Sequence, residues 1–130
     1  MVTTRLSRIV AAFALAAPAL TLGASGALAF SASFAWCSGS SPSFKLDGVP
    51  QGTVNLQFAM IDLNKPSFRH GGGTVGYRGA TQVPCGAFAA SFVGPSPPPG
   101  EVHTYQFTVK ALGEGGAVLA TTTARRKFPE

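Results

Sequence analysis

The sequence predicts an all-β domain of antiparallel strands, and three observations predict it. Two stretches alternate strictly. In Val54 to Asp62, the residues Val54, Leu56, Phe58 and Met60 share one face and Asn55, Gln57, Ala59 and Ile61 the other. In His103 to Lys110, the residues His103, Tyr105, Phe107 and Val109 alternate against Thr104, Gln106, Thr108 and Lys110. A period of two marks a strand with one buried and one wet face. The chain also carries 16 Gly and 10 Pro in 130 residues, many of them between the alternating stretches, where they make turns. No stretch has the three-and-four apolar spacing of a convincing amphipathic helix. Six or so short strands of this kind pack as an antiparallel sandwich or a barrel-like β domain.

Taken in order, Phe30 to Trp36 alternates Phe30, Ala32, Phe34 and Trp36 against Ser31, Ser33 and Ala35, and reads as the first strand. Cys37 to Pro42 reads as a Ser- and Gly-rich turn, and Ser43 to Leu46 as a short extended piece. The run Asp47-Gly48-Val49-Pro50-Gln51-Gly52 reads as successive turns. The strand Val54 to Asp62 follows, with Asp62 falling on its apolar face at the C-terminal end. Leu63 to Gly73 is expected as a loop and Thr74 to Arg78 as a short strand. Gly86 to Val93 fits a buried strand or one helical turn, and flanking Gly86, Gly94 and Pro95 favour the strand. Beyond the strand from His103, Glu114-Gly115-Gly116 reads as a turn and Ala117 to Thr123 as the last strand. The basic tail from Ala124 to Glu130 carries no clear element.

The first 29 residues read as a secretory leader rather than as part of the domain. Arg5 and Arg8 precede an apolar stretch from Ile9 to about Leu22, and Ala27-Leu28-Ala29 closes it with small residues spaced for cleavage. The stretch is short for a membrane span of about 20 residues and Pro18 interrupts it, so no transmembrane segment is expected after its removal. Residues 30–130 then form one domain, expected in the periplasm or secreted. Loss of Arg5 and Arg8 leaves eight Lys and Arg against five Asp and Glu, a net charge of +3 in place of +5. That surplus gives mild attraction to anions. It lacks the broad basic patch with interleaved aromatics that a nucleic-acid binder shows, so nucleic acid is not an expected partner.

Cys37 and Cys85 are the two cysteines, and in an oxidising compartment a single disulfide between them is expected. Its loop would stabilise the fold by about 4 kcal/mol in the chain-entropy model. A metal pair or a reactive thiol is the alternative, and no C-x-x-C spacing supports either.

The chemistry concentrates where two apolar faces end in polar residues. Asp62 ends one strand and His103 begins another, so antiparallel pairing of the two would bring Asp62, His103 and Tyr105 to one rim, within reach of His70 from the following loop. A carboxylate holding an imidazole, beside a phenol and a second imidazole, suits a phosphate or similar anion through charge-assisted hydrogen bonds. Gly71 to Gly73 and Gly100 would let such a ligand approach backbone N–H groups. The bland readings are a turn cap for Asp62, core-edge packing for His103 and Tyr105, plain surface for His70, and a rigid connector for Pro97 to Pro99. For catalysis there is no G-x-S-x-G elbow and no serine placed to serve either histidine. Neither a metal nor a cofactor is expected, since the ligand spacing is not that of a metal site.

These residues resemble those of the phosphatidylethanolamine-binding protein family, in particular its bacterial Raf-kinase-inhibitor-like members. The likeness runs through most of the chain after the leader: Cys37-Ser38-Gly39, Ser41-Pro42, Leu46 to Thr53, Asp62-Leu63-Asn64-Lys65-Pro66 against a D-P-D-x-P motif, and His70. Gly94-Pro95, Pro97-Pro98, Gly100 and His103-Thr104-Tyr105 match a G-P-x-P-P-x-G…H-x-Y pattern, the most specific of them. Leu63 and Asn64 depart from the motif and remove one negative charge, and the segment from His70 to Gly94 is short for the family. The resemblance implies a β-sandwich with a Greek-key core and a phosphoryl-anion pocket formed by Asp62, His70, His103 and Tyr105, with Pro97 and Pro98 in its wall. The expected function is an exported, non-enzymatic binding protein for a small phosphorylated anion or phospholipid head group. The alternative is an extracytoplasmic inhibitor or interaction domain that meets a protein partner through the proline loop.

Overall fold

The computed structural model describes residues 14, 16–19, 28–88 and 91–130. The leader expected over residues 1–29 lies for the greater part outside them. The described chain is all-β, with every strand pairing antiparallel. Its strands are β1 (Ser31–Cys37), β2 (Ser40–Asp47), β3 (Asn55–Asp62), β4 (Gly72–Gly76), β5 (Gln82–Val83), β6 (His103–Leu112) and β7 (Val118–Phe128). They form a three-stranded sheet in the order β1-β2-β5 and a four-stranded sheet in the order β4-β3-β6-β7. Among the described residues no helix is long and apolar enough to cross a membrane.

The two sheets meet through aromatic side chains that the alternation points inward. Phe34 and Phe44 from the smaller sheet pack on Phe107, each with ring centroids 5.0 Å apart, and Phe44 also meets Phe58 at 4.5 Å. The inward residues of β6, from His103 through Tyr105, Phe107 and Val109 to Ala111, are all buried. Burying one such Phe contributes about 1.5–3 kcal/mol, and edge-to-face contacts add to that. Because β6 lies between β3 and β7, its start is held on both sides.

Three sequence expectations are corrected. The turn over Cys37 to Pro42 shrinks to Ser38 and Gly39, and β2 already begins at Ser40. Pro42 has no N–H for a ladder, and it is accommodated because the β1–β2 register shifts between Ala35 and Cys37, opposite this stretch. The strand expected from Gly86 to Val93 does not form in the described part of that segment. Its N–H groups go elsewhere: Gly86 donates to the Ser41 carbonyl at 2.9 Å, Phe88 to Ser41 Oγ at 3.1 Å and Val93 to the His70 carbonyl at 2.8 Å. Phe88 and Phe92, four apart, both pack on the core from this loop, as they would from one face of a strand.

The tail is the third correction, since β7 runs on to Phe128. Strand β6 offers a ten-residue template, and pairing continues through Tyr105↔Arg126 and Thr104↔Lys127 to His103↔Phe128. The charges that made the tail look structureless lie along a strand, where exposed Arg125 and Lys127 reach water. Arg126 instead turns back, donating to the Phe34 carbonyl at 2.8 Å and so tying β7 to β1.

A disulfide joins Cys37 to Cys85, with their Cα atoms 5.9 Å apart. It links the end of β1 to the loop after β5, closing a stretch that the backbone bonds at Ser41 also hold.

Candidate functional site

Antiparallel pairing of β3 with β6 places the end of one beside the start of the other. Asp62 stands opposite Tyr105 in the register, and both strands continue past the ladder at this rim. Leu63 donates its N–H to the Thr104 carbonyl at 2.9 Å, and the Thr104 N–H goes to Asn64 Oδ1 at 2.8 Å. Asn64 therefore clamps the first residues of β6. It appeared in the sequence only as a departure from a motif, and its Asx-turn position after Asp62 was the signal for a structural role.

Asp62 divides its carboxylate between two tasks. Oδ1 accepts from the backbone N–H groups of Asn64 at 2.8 Å and Lys65 at 3.1 Å, capping the turn. Oδ2 accepts from His103 Nδ1–H at 2.6 Å. The turn-cap and histidine-holding roles, weighed as alternatives in the sequence, are thus both filled, one by each oxygen. Burial alone would raise the Asp62 pKa, but the hydrogen bond from His103, followed by those from Asn64 and Lys65, outweighs it and holds the carboxyl below its usual value.

His103 is buried, and its other nitrogen, Nε2, lies 2.8 Å from Glu101 Oε2. Both ring nitrogens face carboxylate oxygens, which only accept, so both carry hydrogen and the ring is an imidazolium. The bonds to Asp62 and then Glu101 raise its pKa against the opposing effect of burial. Glu101 was not among the candidate residues. Its position two residues before His103 on an extended chain is the signal that could have found it.

Tyr105 is fully buried, and among the described residues no group meets its hydroxyl in full hydrogen-bond geometry. Asp62 and the Ser96 backbone lie near enough to act on it, and burial first, then the Asp62 charge, pushes the phenol pKa up. It remains a neutral O–H donor. Edge-on rings pack against it from both sides, His70 at 5.4 Å and Trp36 at 5.6 Å between centroids. His70, at the end of the loop before β4, is also buried and holds Nδ1 2.8 Å from the Val93 carbonyl. A carbonyl only accepts, so Nδ1 carries the hydrogen.

The structure therefore brings Asp62, His103, Tyr105 and His70 into one neighbourhood. Pro97 is half-buried and Pro98 exposed. The loop meets the cluster through backbone, with Ser96 beside the Tyr105 hydroxyl and the Pro98 carbonyl accepting from the Glu101 N–H at 3.0 Å. Two surface clefts flank the cluster. One, of about 810 Å³, is lined by His70 with Phe68, Arg69 and the outer part of β3 and β4. The other, of about 780 Å³, is lined by Trp36, Phe88, Phe92, Pro95 and Phe128. Asp62, His103 and Tyr105 line neither, and Tyr105 is packed between His70 of the first and Trp36 of the second.

The glycine run has a different use from the one expected of it. A side chain at Gly71 would strike the Ser91 carbonyl, one at Gly72 the Phe58 carbonyl and one at Gly73 the Phe88 ring. The space that glycine leaves open is filled by the protein's own backbone and core. Among the described residues no group of three or more His, Cys, Asp or Glu is placed to hold a metal ion.

No family model and no curated protein matches the chain. Among solved structures, the chain is similar to E. coli YbcL, described as a new member of the mammalian PEBP family. Identity is 24%, covering 68% of this chain and 77% of that one, with a TM-score of 0.46.

Proposed function

We propose that this chain is an exported, non-catalytic binding protein for a small phosphoryl anion, either a free phosphate ester or a phospholipid head group. In this reading residues 1–29 are the leader, residues 30–130 the mature domain, and the periplasm or the exterior its location. The disulfide supports the location, because such bonds persist in oxidising compartments.

The observation that carries the reading is the buried Tyr105 hydroxyl, which has no hydrogen-bond partner in full geometry among the described residues although Asp62 and the Ser96 backbone lie close to it. Leaving a buried donor unmade costs about 1–3 kcal/mol, and an acceptor from outside would relieve that cost. Around it stand the His103 imidazolium, the Ser96 backbone and the second ring at His70, with the Asp62 and Glu101 carboxylates on the two His103 nitrogens. Asp62 orients His103 and keeps it charged, while Pro97 and Pro98 stiffen the loop that positions Ser96 and Glu101. Inorganic phosphate or phosphoethanolamine, titrated while the ring signals of His70 and His103 are followed by NMR, tests the assignment. Saturable shifts are expected, and unmoved signals from both rings would remove it.

A second reading rests on the exposed face of the same loop. Pro98 and Pro99 are exposed and Val102 beside them is an exposed large apolar residue, so the loop is also a surface on which a protein could dock. An interaction lost on changing Pro97 to Pro99, and insensitive to His103→Ala, would favour it.

A further inference from the structure

Glu101 is held where it can reach His103 by a turn whose residues suit it. Pro98, Pro99, Gly100 and Glu101 close with the Glu101 N–H on the Pro98 carbonyl at 3.0 Å, and Gly100 has φ +84°. That is the pattern of a type II turn, with proline at its second position and glycine at its third. The turn fixes the Glu101 backbone, and the side chain then sets Oε2 on His103 Nε2 at 2.8 Å. The two partners differ in exposure: the His103 side chain is 9% exposed and that of Glu101 56%. Asp62, whose side chain is 5% exposed and which also accepts from Asn64 and Lys65, is a fixed partner of the imidazolium. Glu101, with no other hydrogen bond among the described side chains, is a displaceable one.

Two carboxylates around one imidazolium leave the trio with a net charge of −1, a poor receptor for an anion while Glu101 is in place. Resting on the anion-binding reading above, we infer that Glu101 is an internal competitor of the ligand: its carboxylate occupies the position of a ligand oxygen on His103 Nε2, and the ligand binds by displacing it. A tethered carboxylate acts at a high effective concentration, so it excludes free monocarboxylates of similar strength. A phosphate monoester, with greater charge and more acceptor oxygens, displaces it. Rotation of an exposed side chain is fast. Glu101 thereby lowers affinity and raises selectivity for phosphoryl over carboxylate groups.

Inorganic phosphate and acetate, titrated separately into the wild-type protein, Glu101→Gln and Glu101→Ala at pH 6, test this, with the His70 and His103 ring signals as readout. Both substitutions are at an exposed side chain, and thermal unfolding confirms that the variants fold. The expected result is phosphate binding at least tenfold tighter in both variants, with acetate binding measurable there and undetected in the wild type. Phosphate affinity in the variants equal to or below that of a wild type that does bind would overturn the role of Glu101 and leave the anion site standing. Ring signals that stay unmoved by phosphate in all three proteins would overturn the anion site, and the inference with it.

Discussion

Asp62 Oδ2 lies 2.6 Å from His103 Nδ1, although the residue directly opposite Asp62 in the sheet is Tyr105. The contact is diagonal across the β3–β6 pair. It exists because both residues fall on the inward face, and because the strands end at one rim, where the side chains converge over the last rung. Such a pair, largely withdrawn from water, ties stability to pH.

The direction of that dependence follows from the two shifts. The folded His103 pKa is raised above its ordinary 6.5, so its contribution is complete below that pH and is lost as pH rises through the folded value. The folded Asp62 pKa is lowered below its ordinary 3.8, so its contribution is complete above that pH and is lost as pH falls through the folded value. Unfolding midpoints in denaturant are expected to decline on both sides of this window. His103→Gln should flatten the alkaline limb, and Asp62→Asn should flatten the acid limb while shrinking the alkaline one. A wild-type midpoint unchanged from pH 6 to pH 9 would contradict the ion pair.

Tyr105→Phe separates stability from binding. It removes a buried hydroxyl that has no partner in full geometry among the described residues, so the ligand-free protein should be unchanged or more stable, by up to about 1–3 kcal/mol. Phosphate affinity should fall. A destabilised Tyr105→Phe protein would mean that the hydroxyl is satisfied in the folded state.

The disulfide is expected to supply a large share of the stability of so small a domain. Replacing Cys37 and Cys85 together with alanine should lower the unfolding free energy by about 4 kcal/mol in the chain-entropy model. Chemical denaturation of the two proteins under oxidising conditions measures the difference. A loss below about 1 kcal/mol would show that the Ser41 bonds to Gly86 and Phe88 already hold the loop.

Gly72→Ala tests why the glycine run is there. The added methyl would meet the backbone carbonyl of Phe58, across the β3–β4 pair. Strand β4 should separate from β3, read as fast hydrogen exchange at the Gly72–Gly76 amides, whether or not phosphate is present. Gly76→Ala, where the new methyl would meet nothing within 4 Å, is the control. Full protection in Gly72→Ala would return the run to a ligand-facing role.

What the sequence determined by itself was everything that depends on the period of two. Alternation put Asp62, His103 and Tyr105 on inward faces, and chain polarity put Asp62 at an end and His103 at a start, so a single assumption of antiparallel pairing brought them together. The all-β class and the cysteine pair were legible for similarly local reasons. Residues whose roles come from distant partners were not. Phe88 and Phe92 pack inward from a loop because Ser41 and His70 take its N–H groups, and β7 reaches Phe128 because β6 is there to pair with it. Gly71 to Gly73 accommodate carbonyls and a ring from elsewhere in the chain. Glu101 lay two residues from His103 in plain view. Only the turn at Pro98 to Gly100 decided that its carboxylate reaches the imidazolium, because side-chain direction there depends on backbone dihedrals that composition does not specify.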